Sequence, residues 1–370
     1  MKISVITVCL NSCETIEKTI ESVIGQSYHE KEYIIIDGGS TDGTVDIIKK
    51  YENDIAYWHS FKDDGIYDAM NQGIDEASGD IICFLNSNDW YEDEVFEKII
   101  ASFEEENCDV VSGRVAWIIE NQVMGYSAKE VTKKDIYEKM IYQHPAMFVK
   151  SKLFEQYGKF DLTYKMAADY EWILRVYSEG ANIKTIDRII TNFRRGGISY
   201  NKKCFEETRE ISLKYLPKEL YDEYYDKIQD AYNLRMQLAG FRECVEIIQK
   251  NEEAKRGVLK ILKRHFGLEK NCSLFGYGLR AWECKNVLRA LGIKIDRVYD
   301  NSKKKQGEVF DEFVIANPEM ISEDELIIIT SLNYEKEICA QLSELGNSRY
   351  ICLSKVIEIV IKQLGFDVIN

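Results

Sequence analysis

Tyr33-Ile34-Ile35-Ile36-Asp37-Gly38-Gly39-Ser40-Thr41-Asp42-Gly43-Thr44 runs an apolar segment straight into a loop of glycines and acids, and Val45–Tyr51 then resumes helical spacing. The apolar run reads as a strand, and the glycines permit tight backbone approach where it ends. Ligands of open α/β sheets sit at such carboxyl ends of strands. Upstream, Ile3–Leu10 is a second strand-like run, and Ser12 is placed to cap a helix whose Ile16, Ile20, Val23 and Ile24 form one buried stripe. Downstream, Asp80–Asn86 is a third strand. Strands alternating with helices predict an α/β domain with a largely parallel sheet.

The rhythm continues to about Ile190 and stops at Asn192-Phe193-Arg194-Arg195-Gly196-Gly197-Ile198-Ser199, which reads as a polar, glycine-hinged loop. From about Lys203 to Phe266 the pattern is long, charged and helical, interrupted at Leu216-Pro217. Short apolar strands then return at Cys272–Gly276, Ile295–Asp300, Phe313–Ala316, Leu326–Thr330 and Tyr350–Leu353. The expected organisation is therefore an α/β domain over 1–202, a helical connector over 203–270 and a smaller α/β domain over 271–370.

Composition narrows the function. A formal charge of −15 over 370 residues argues against a sequence-independent grip on nucleic-acid phosphates, which needs clustered Lys and Arg. The ten cysteines form no CxxC pair and read as small buried hydrophobes of a reducing cytosol. Nowhere do 18 apolar residues run together, so no membrane span and a cytoplasmic location are expected.

Three polar clusters fall at strand ends or helix starts: Asp37 with Asp42, Asp64 with Asp68 and Asn71, and Asn86-Ser87-Asn88-Asp89. Carboxylates gathered at strand ends suit a hard cation, and one or two of them with substrate phosphates hold Mg²⁺ or Mn²⁺. Asp89 is the candidate protein ligand. Asp64, Asp68 and Asn71 share one face of the helix starting near Gly65, with Ile66, Met70 and Ile74 opposite; a solvated face with a capping Asp64 gives the same pattern.

The segments ITVCLNS, IIIDGGSTDGT, DDGIYDAMNQGI, GDIICFLNSNDWY and ADYEWILR occur in that order. They resemble the motifs of family 2 glycosyltransferases with the GT-A fold, most nearly the O-antigen and capsule enzymes, over residues 1 to about 200. The resemblance implies inverting transfer from a nucleotide-sugar donor, a UDP-sugar by preference, to a saccharide or lipid-linked saccharide in surface polysaccharide synthesis. It implies a donor site at Thr7, Val8, Asn11, Asp37, Asp64, Asn71, Asn88 and Arg194, with the metal on Asp89. Asn88 stands where relatives commonly have an acid, which implies a more weakly held metal. Asp169 matches the family's general base, with Glu171 as the alternative, and both open a helical stretch where a capping role is also open. His144 stands near the acceptor or diphosphate position, although lone histidines are commonly structural. Arg194 and Arg195, beside Gly196-Gly197, could close over the diphosphate.

Lipid-linked acceptors imply peripheral attachment at the inner face of the bacterial membrane, and Lys255–Phe266 alternates basic and apolar residues as a surface helix does; a packed linker helix explains the same pattern. In the last domain Leu274-Phe275-Gly276-Tyr277-Gly278-Leu279-Arg280-Ala281, with Asp300 about 20 residues later, resembles a Rossmann fingerprint, so a Rossmann-like accessory domain with a bound nucleotide is an expectation. Two other functions compete with transfer. An NAD-dependent sugar-modifying oxidoreductase lacks a Tyr-x-x-x-Lys pair beside Gly276–Asp300, and a non-catalytic nucleotide-sugar sensor is suggested by Asn88.

Overall fold

Every residue of strand β1 (Ile3–Cys9) is buried, because a helix covers each face of the sheet it belongs to. In the computed structural model, which describes residues 1–105, 107–119, 121–194, 201–268, 270–276, 279–310, 312–331 and 334–364, the chain divides into units Met1–Tyr232 and Asn233–Asn370. The first unit continues through α1 (Ile16–Ile24), β2 (Lys31–Asp37), α2 (Thr44–Lys50), β3 (Tyr57–Ser60), α3 (Ile66–Glu76), β4 (Ile81–Phe84), β5 (Trp90–Tyr91) and α4 (Val95–Glu105). It then runs through β6 (Val110–Ile119), β7 (Gln122–Tyr126), β8 (Met147–Lys150), α5 (Lys152–Tyr157), α6 (Ala168–Ser178), β9 (Ile183–Arg194), α7 (Lys202–Tyr215) and into α8 (Tyr221–Lys250), within which the division falls.

The sheet order is β3-β2-β1-β4-β8-β6-β9-β5, with β7 paired to β6. Only its first half is uniformly parallel: β8 runs against both β4 and β6, and β5 runs against β9. Alternation along the strands sends Ile6, Val8, Ile34 and Phe84 to one core, with α3 and α6, and Val5, Tyr33, Ile35 and Cys83 to the other, with α1 and α4. Helix α3 lies close on β1 at Gly73, where a Cβ would collide with Ile6.

Two local readings change. Helix α1 begins later than a Ser12 cap requires: the Ser12 carbonyl accepts from Thr15 and Ile16, while its hydroxyl bonds Ser87 at 2.8 Å. Asn192, Phe193 and Arg194 are strand rather than loop, because β6 supplies Ala116, Trp117 and Ile118 as partners. Arg195, Gly196 and Gly197 lie outside the described residues.

The second unit holds α9 (Glu252–Phe266), β10 (Asn271–Phe275), α10 (Leu279–Leu291), β11 (Lys294–Tyr299), β12 (Val309–Phe310), β13 (Phe313–Ala316), β14 (Ile327–Ile329), α11 (Glu335–Glu344), β15 (Tyr350–Cys352) and α12 (Leu353–Gln363). Its order is β12-β13-β11-β10-β14-β15, parallel except for β12, which is a doubly wound arrangement reversing between β10 and β14. Val258 and Leu262 are the buried stripe of α9, and that helix packs against α12, so its apolar side is occupied by protein. Among the described residues no helix is long and apolar enough to cross a membrane.

Two polar braces hold the first unit together. Glu32 on β2 accepts from Lys2 Nζ (2.5 Å), Ser4 Oγ (2.5 Å), Ser78 N (2.6 Å) and Ser78 Oγ (2.8 Å), tying β1 to the turn after α3. Asn71 on α3 grips the main chain of Phe160 at both ends, Nδ2 donating to the carbonyl and Oδ1 accepting from the N–H, each at 3.0 Å. The Asn71→Ala protein, leaving both Phe160 groups without that partner, should lose about 2 kcal/mol of stability in urea unfolding.

Burial alone would raise the Glu32 carboxyl, but the bonds from Lys2, Ser4 and Ser78 outweigh it and bring the group from 4.5 down to about 2. A folded-state value below the unfolded one means that this stabilisation is present above about pH 4.5 and lost as pH falls toward 2. Thermal melts should therefore show a fall in Tm across that window, and the fall should be shallower in Glu32→Gln.

Candidate functional site

Three polar clusters gather at the carboxyl ends of β1, β2 and β4 and at the start of α6. The first is built on Asp37, the fully buried last residue of β2. Its Oδ2 accepts from Gly39 N (3.1 Å), Ser40 N (2.8 Å) and Ser60 Oγ (2.5 Å), and its Oδ1 from Ser40 Oγ (2.5 Å) and Cys9 Sγ (3.3 Å). Burial pushes its pKa up, yet these donors prevail and hold the carboxylate below its ordinary range. Asp42 repeats the device one turn on, accepting from Thr44 N and Oγ1 and from Cys13 N. Asn11, in the left-handed region at φ 50°, accepts from Thr41 N through Oδ1 and donates its own N–H to Ser40 Oγ. The loop is thereby fixed before any ligand arrives.

Thr7 and Val8 turn their side chains into the protein, Thr7 Oγ1 meeting Tyr33 OH at 2.9 Å. Strand β4 stops at Phe84, whose neighbour Leu85 donates to the Ile6 carbonyl, so β1 outruns its β4 partner past Ile6 and Val8 has no pair on β4. Asp64 is exposed and precedes α3 rather than joining its face; its N–H donates to Asp68. The acid that does reach the glycine loop is Asp63, which the residue pattern did not single out. Its carboxylate lies where a Cβ on Gly38 would be, at 2.6 Å, and it accepts from Gly65 N at 3.0 Å. The dipeptide Asp63-Asp64 gives no sequence signal for which acid turns inward.

The second cluster follows β4. Asp89 is 1% exposed; Oδ1 accepts from Arg194 N at 2.9 Å, while Oδ2 has no hydrogen-bond partner, and Asn86 Oδ1 in the same turn is likewise buried without one. Burial raises the Asp89 pKa to about 8 against the lowering effect of Arg194. Such an oxygen fits a cation. Among the described residues no three His, Cys, Asp or Glu side chains converge on one point, so the protein's share of a metal shell would be Asp89, with Asn86 beside it and phosphates and water for the rest. Asn88 is half-buried between them.

The third cluster is built on Asp169, the second residue of α6. Tyr67 OH donates to its Oδ1 at 2.8 Å, and Tyr170 N donates to the same oxygen, leaving Oδ2 without a donor among the described residues. The turn leading into the helix is braced from a distance: Glu207 of α7 accepts from Lys165 N, Met166 N and Ala167 N at 2.8–3.1 Å. His144 is buried, stacked on Phe84 with ring centroids 5.1 Å apart and edge-on to Phe160 at 5.9 Å, and its Nε2 is unpartnered. Burial lowers its pKa, with the Asp169 charge opposing, so the ring is neutral. Phe160 also touches Tyr67 and Phe84 at 5.6 and 5.3 Å, which makes the Asn71 brace a support for this cluster rather than a ligand contact. Glu171 is taken up elsewhere, 2% exposed and bonded to Arg175 (2.9 Å) and Tyr215 OH (2.5 Å).

In the second unit Gly276 ends β10 at φ 116°, with Thr330 Oγ1 2.7 Å from where a Cβ would lie. Tyr277 and Gly278 of the expected fingerprint lie outside the described residues.

The model of glycosyl transferase family 2 matches residues 4–169, and a model described as C2185-like, N-terminal, matches residues 268–352. An uncharacterized glycosyltransferase of Mycobacterium tuberculosis is 37% identical over 189 residues, 47% of this chain and 68% of that protein. A PGL/p-HBAD biosynthesis glycosyltransferase of Mycobacterium bovis is 29% identical, covering 53% of this chain and 78% of its own. Among solved structures, S. aureus TarS 1-349 in complex with UDP-GlcNAc superposes with a TM-score of 0.53 at 18% identity, over 79% of this chain and 90% of that one; the chain spans about half (48%) of the longer TarS structure. The first unit has the GT-A-like α/β fold, and the chain belongs to the family 2 glycosyltransferases.

Proposed function

We propose that the first unit transfers a sugar, with inversion, from a nucleotide-sugar, a UDP-sugar by preference, to a hydroxyl of a saccharide or lipid-linked saccharide of a surface polysaccharide. The observation that carries this is the pairing of two unfinished carboxylates: Asp89, buried with a free Oδ2, and Asp169, fixed through Oδ1 with Oδ2 open. The first suits a cation beside a diphosphate, and the second suits a base that takes the acceptor's proton.

The nucleoside lies against Asn11, the Asp37 loop and Val8, with Asp63 or Asp64 at the base. Asp37 acts by holding that loop in shape. A divalent cation on Asp89 would, when bound, offset the charge of the departing diphosphate. Tyr67 aims Asp169, and the neutral His144 Nε2 offers a hydrogen bond to a sugar or phosphate oxygen if protonated there, or to a hydroxyl if not. Arg194, leaving β9 beside Asp89, meets the diphosphate. TarS with UDP-GlcNAc supports the donor class on the same fold. The second unit we read as an accessory Rossmann-like body with a nucleotide at the carboxyl end of β10, joined through the connector 203–270. Arg256, Lys260 and Arg264, at i, i+4 and i+8 on α9, are exposed, so attachment to an anionic membrane would be electrostatic and not by insertion.

Nucleoside-diphosphate release from a panel of UDP-, GDP- and dTDP-sugars, with and without Mn²⁺, tests the donor reading. Release from one donor that Asp89→Ala abolishes is the expected result, and no release from any donor, with lipid-linked acceptor extract present, would sink it. With an acceptor in hand, Asp169→Asn should keep donor affinity and lose about 10²- to 10⁴-fold in kcat. Tyr67→Phe, which loses one hydrogen bond to the base, should cost about 10-fold in kcat with little change in KM. Normal transfer by Asp169→Asn would overturn the assignment of the base.

A further inference from the structure

Lys18 and Arg194 come from distant parts of the chain to one indole. Lys18 Nζ of α1 sits 3.3 Å from the centre of the Trp90 ring, and Arg194 Cζ lies 5.7 Å from the same centre. Trp90 directly follows Asp89, and Arg194 is the residue whose main-chain N–H holds Asp89 Oδ1. Neither cation forms an ion pair among the described residues, and Arg194 Nε is buried with no hydrogen-bond partner. Burial lowers the Lys18 pKa, and the Arg194 charge lowers it further, against a smaller opposite effect of Glu92.

Two like charges on one ring are mutually repulsive, and a buried guanidinium nitrogen without a partner is costly. A chain with 63 acids and a net charge of −15 has carboxylates in plenty with which to neutralise them, yet among the described residues none is bonded to either, and Glu92 acts on Lys18 only from a distance. The indole face instead holds both cations beside Asp89, Lys18 exposed to solvent and Arg194 half-buried with its Nε unpartnered. An anion with at least two charges, large enough to reach both groups and adjacent to the Asp89 oxygen, would complete the arrangement.

We propose that Lys18, on α1, is a diphosphate-binding residue of the donor site, held ready on Trp90 together with Arg194. The assignment rests on the donor reading of the first unit. Lys18 and Arg194 together carry the charge of one divalent cation, which matches a site where Asn88 replaces an acid and only Asp89 is left to hold a metal. Neither the residue pattern of α1 nor the motif resemblance points to Lys18, because its partners are 72 and 176 positions away in the sequence.

The test is titration calorimetry in EDTA with UDP, UMP and uridine, and with the guanosine and thymidine series, on the wild-type chain, Lys18→Met and Lys18→Arg. Lys18→Met should weaken the preferred nucleoside diphosphate about 10-fold while changing the nucleoside less than about 2-fold, with Lys18→Arg restoring most of the loss and the melting temperature unchanged. An equal loss for diphosphate and nucleoside, or no loss for either, would overturn the role of Lys18 while leaving the donor reading intact. Absence of binding by any nucleoside diphosphate to the wild-type chain, in EDTA and with Mn²⁺ added alike, would overturn both.

Discussion

A buried carboxylate at the end of β2 sets the geometry on which the donor side depends. Asp37 has no exposed surface, and it stays charged only because five donors, from Cys9, Gly39, Ser40 and Ser60, converge on two oxygens. Those donors belong to the ends of β1 and β3 and to the loop between β2 and α2, so satisfying one charge at the end of β2 fixes three other pieces of chain against it. The glycines matter for the same reason: Gly39 adopts φ 87°, and Gly38 leaves the room that the Asp63 carboxylate fills. A site that must receive a large anionic ligand gains by having its backbone set in advance, since little ordering then remains for the binding step.

Elsewhere the same logic is inverted. Where Asp37 is saturated, Asp89 Oδ2, Asn86 Oδ1, His144 Nε2 and Arg194 Nε are buried and unsatisfied. Most buried polar atoms of folded proteins have partners, and of the ten without one among the described residues these four are where the proposed function would place ligand atoms. The neighbouring supports are complete by contrast: Asn71 makes both its bonds to Phe160, Glu207 takes three main-chain N–H groups ahead of α6, and Glu171 is paired on both oxygens. Rigid supports around open groups are what would hold the proposed base, Asp169, near a reacting hydroxyl.

The α/β character of both units was legible in the chain because strand and helix leave periods of two and 3.6 in the apolar residues. Strands read at Ile3–Leu10 and Tyr33–Asp37 differ from those observed by a residue or two, and Phe313–Ala316 coincides with its strand. Misreadings fell where a distant partner overrides local chemistry. Ser12 looks like a cap and is spent on Ser87; Asn192–Arg194 looks like a loop and is recruited by β6; Asn71 looks like a face residue for ligand and is turned to Phe160. Lys255–Phe266 has the pattern of a membrane-surface helix, yet α12 covers its apolar side.

What the sequence determined by itself was therefore the class of each unit, the order of the motifs and the residue types able to do the chemistry, since these rest on local spacing and side-chain identity. Only the tertiary structure decided which of those residues are saturated and which are left open. That Asp37 is a scaffold, that Asp63 leans on the glycine loop, that Glu207 braces the turn before α6 and that Lys18 meets Arg194 on Trp90 depend on contacts between residues 23 to 176 positions apart or on the turn of one side chain. Hydrogen bonding and burial are properties of the folded surroundings, and no local pattern of residues encodes them.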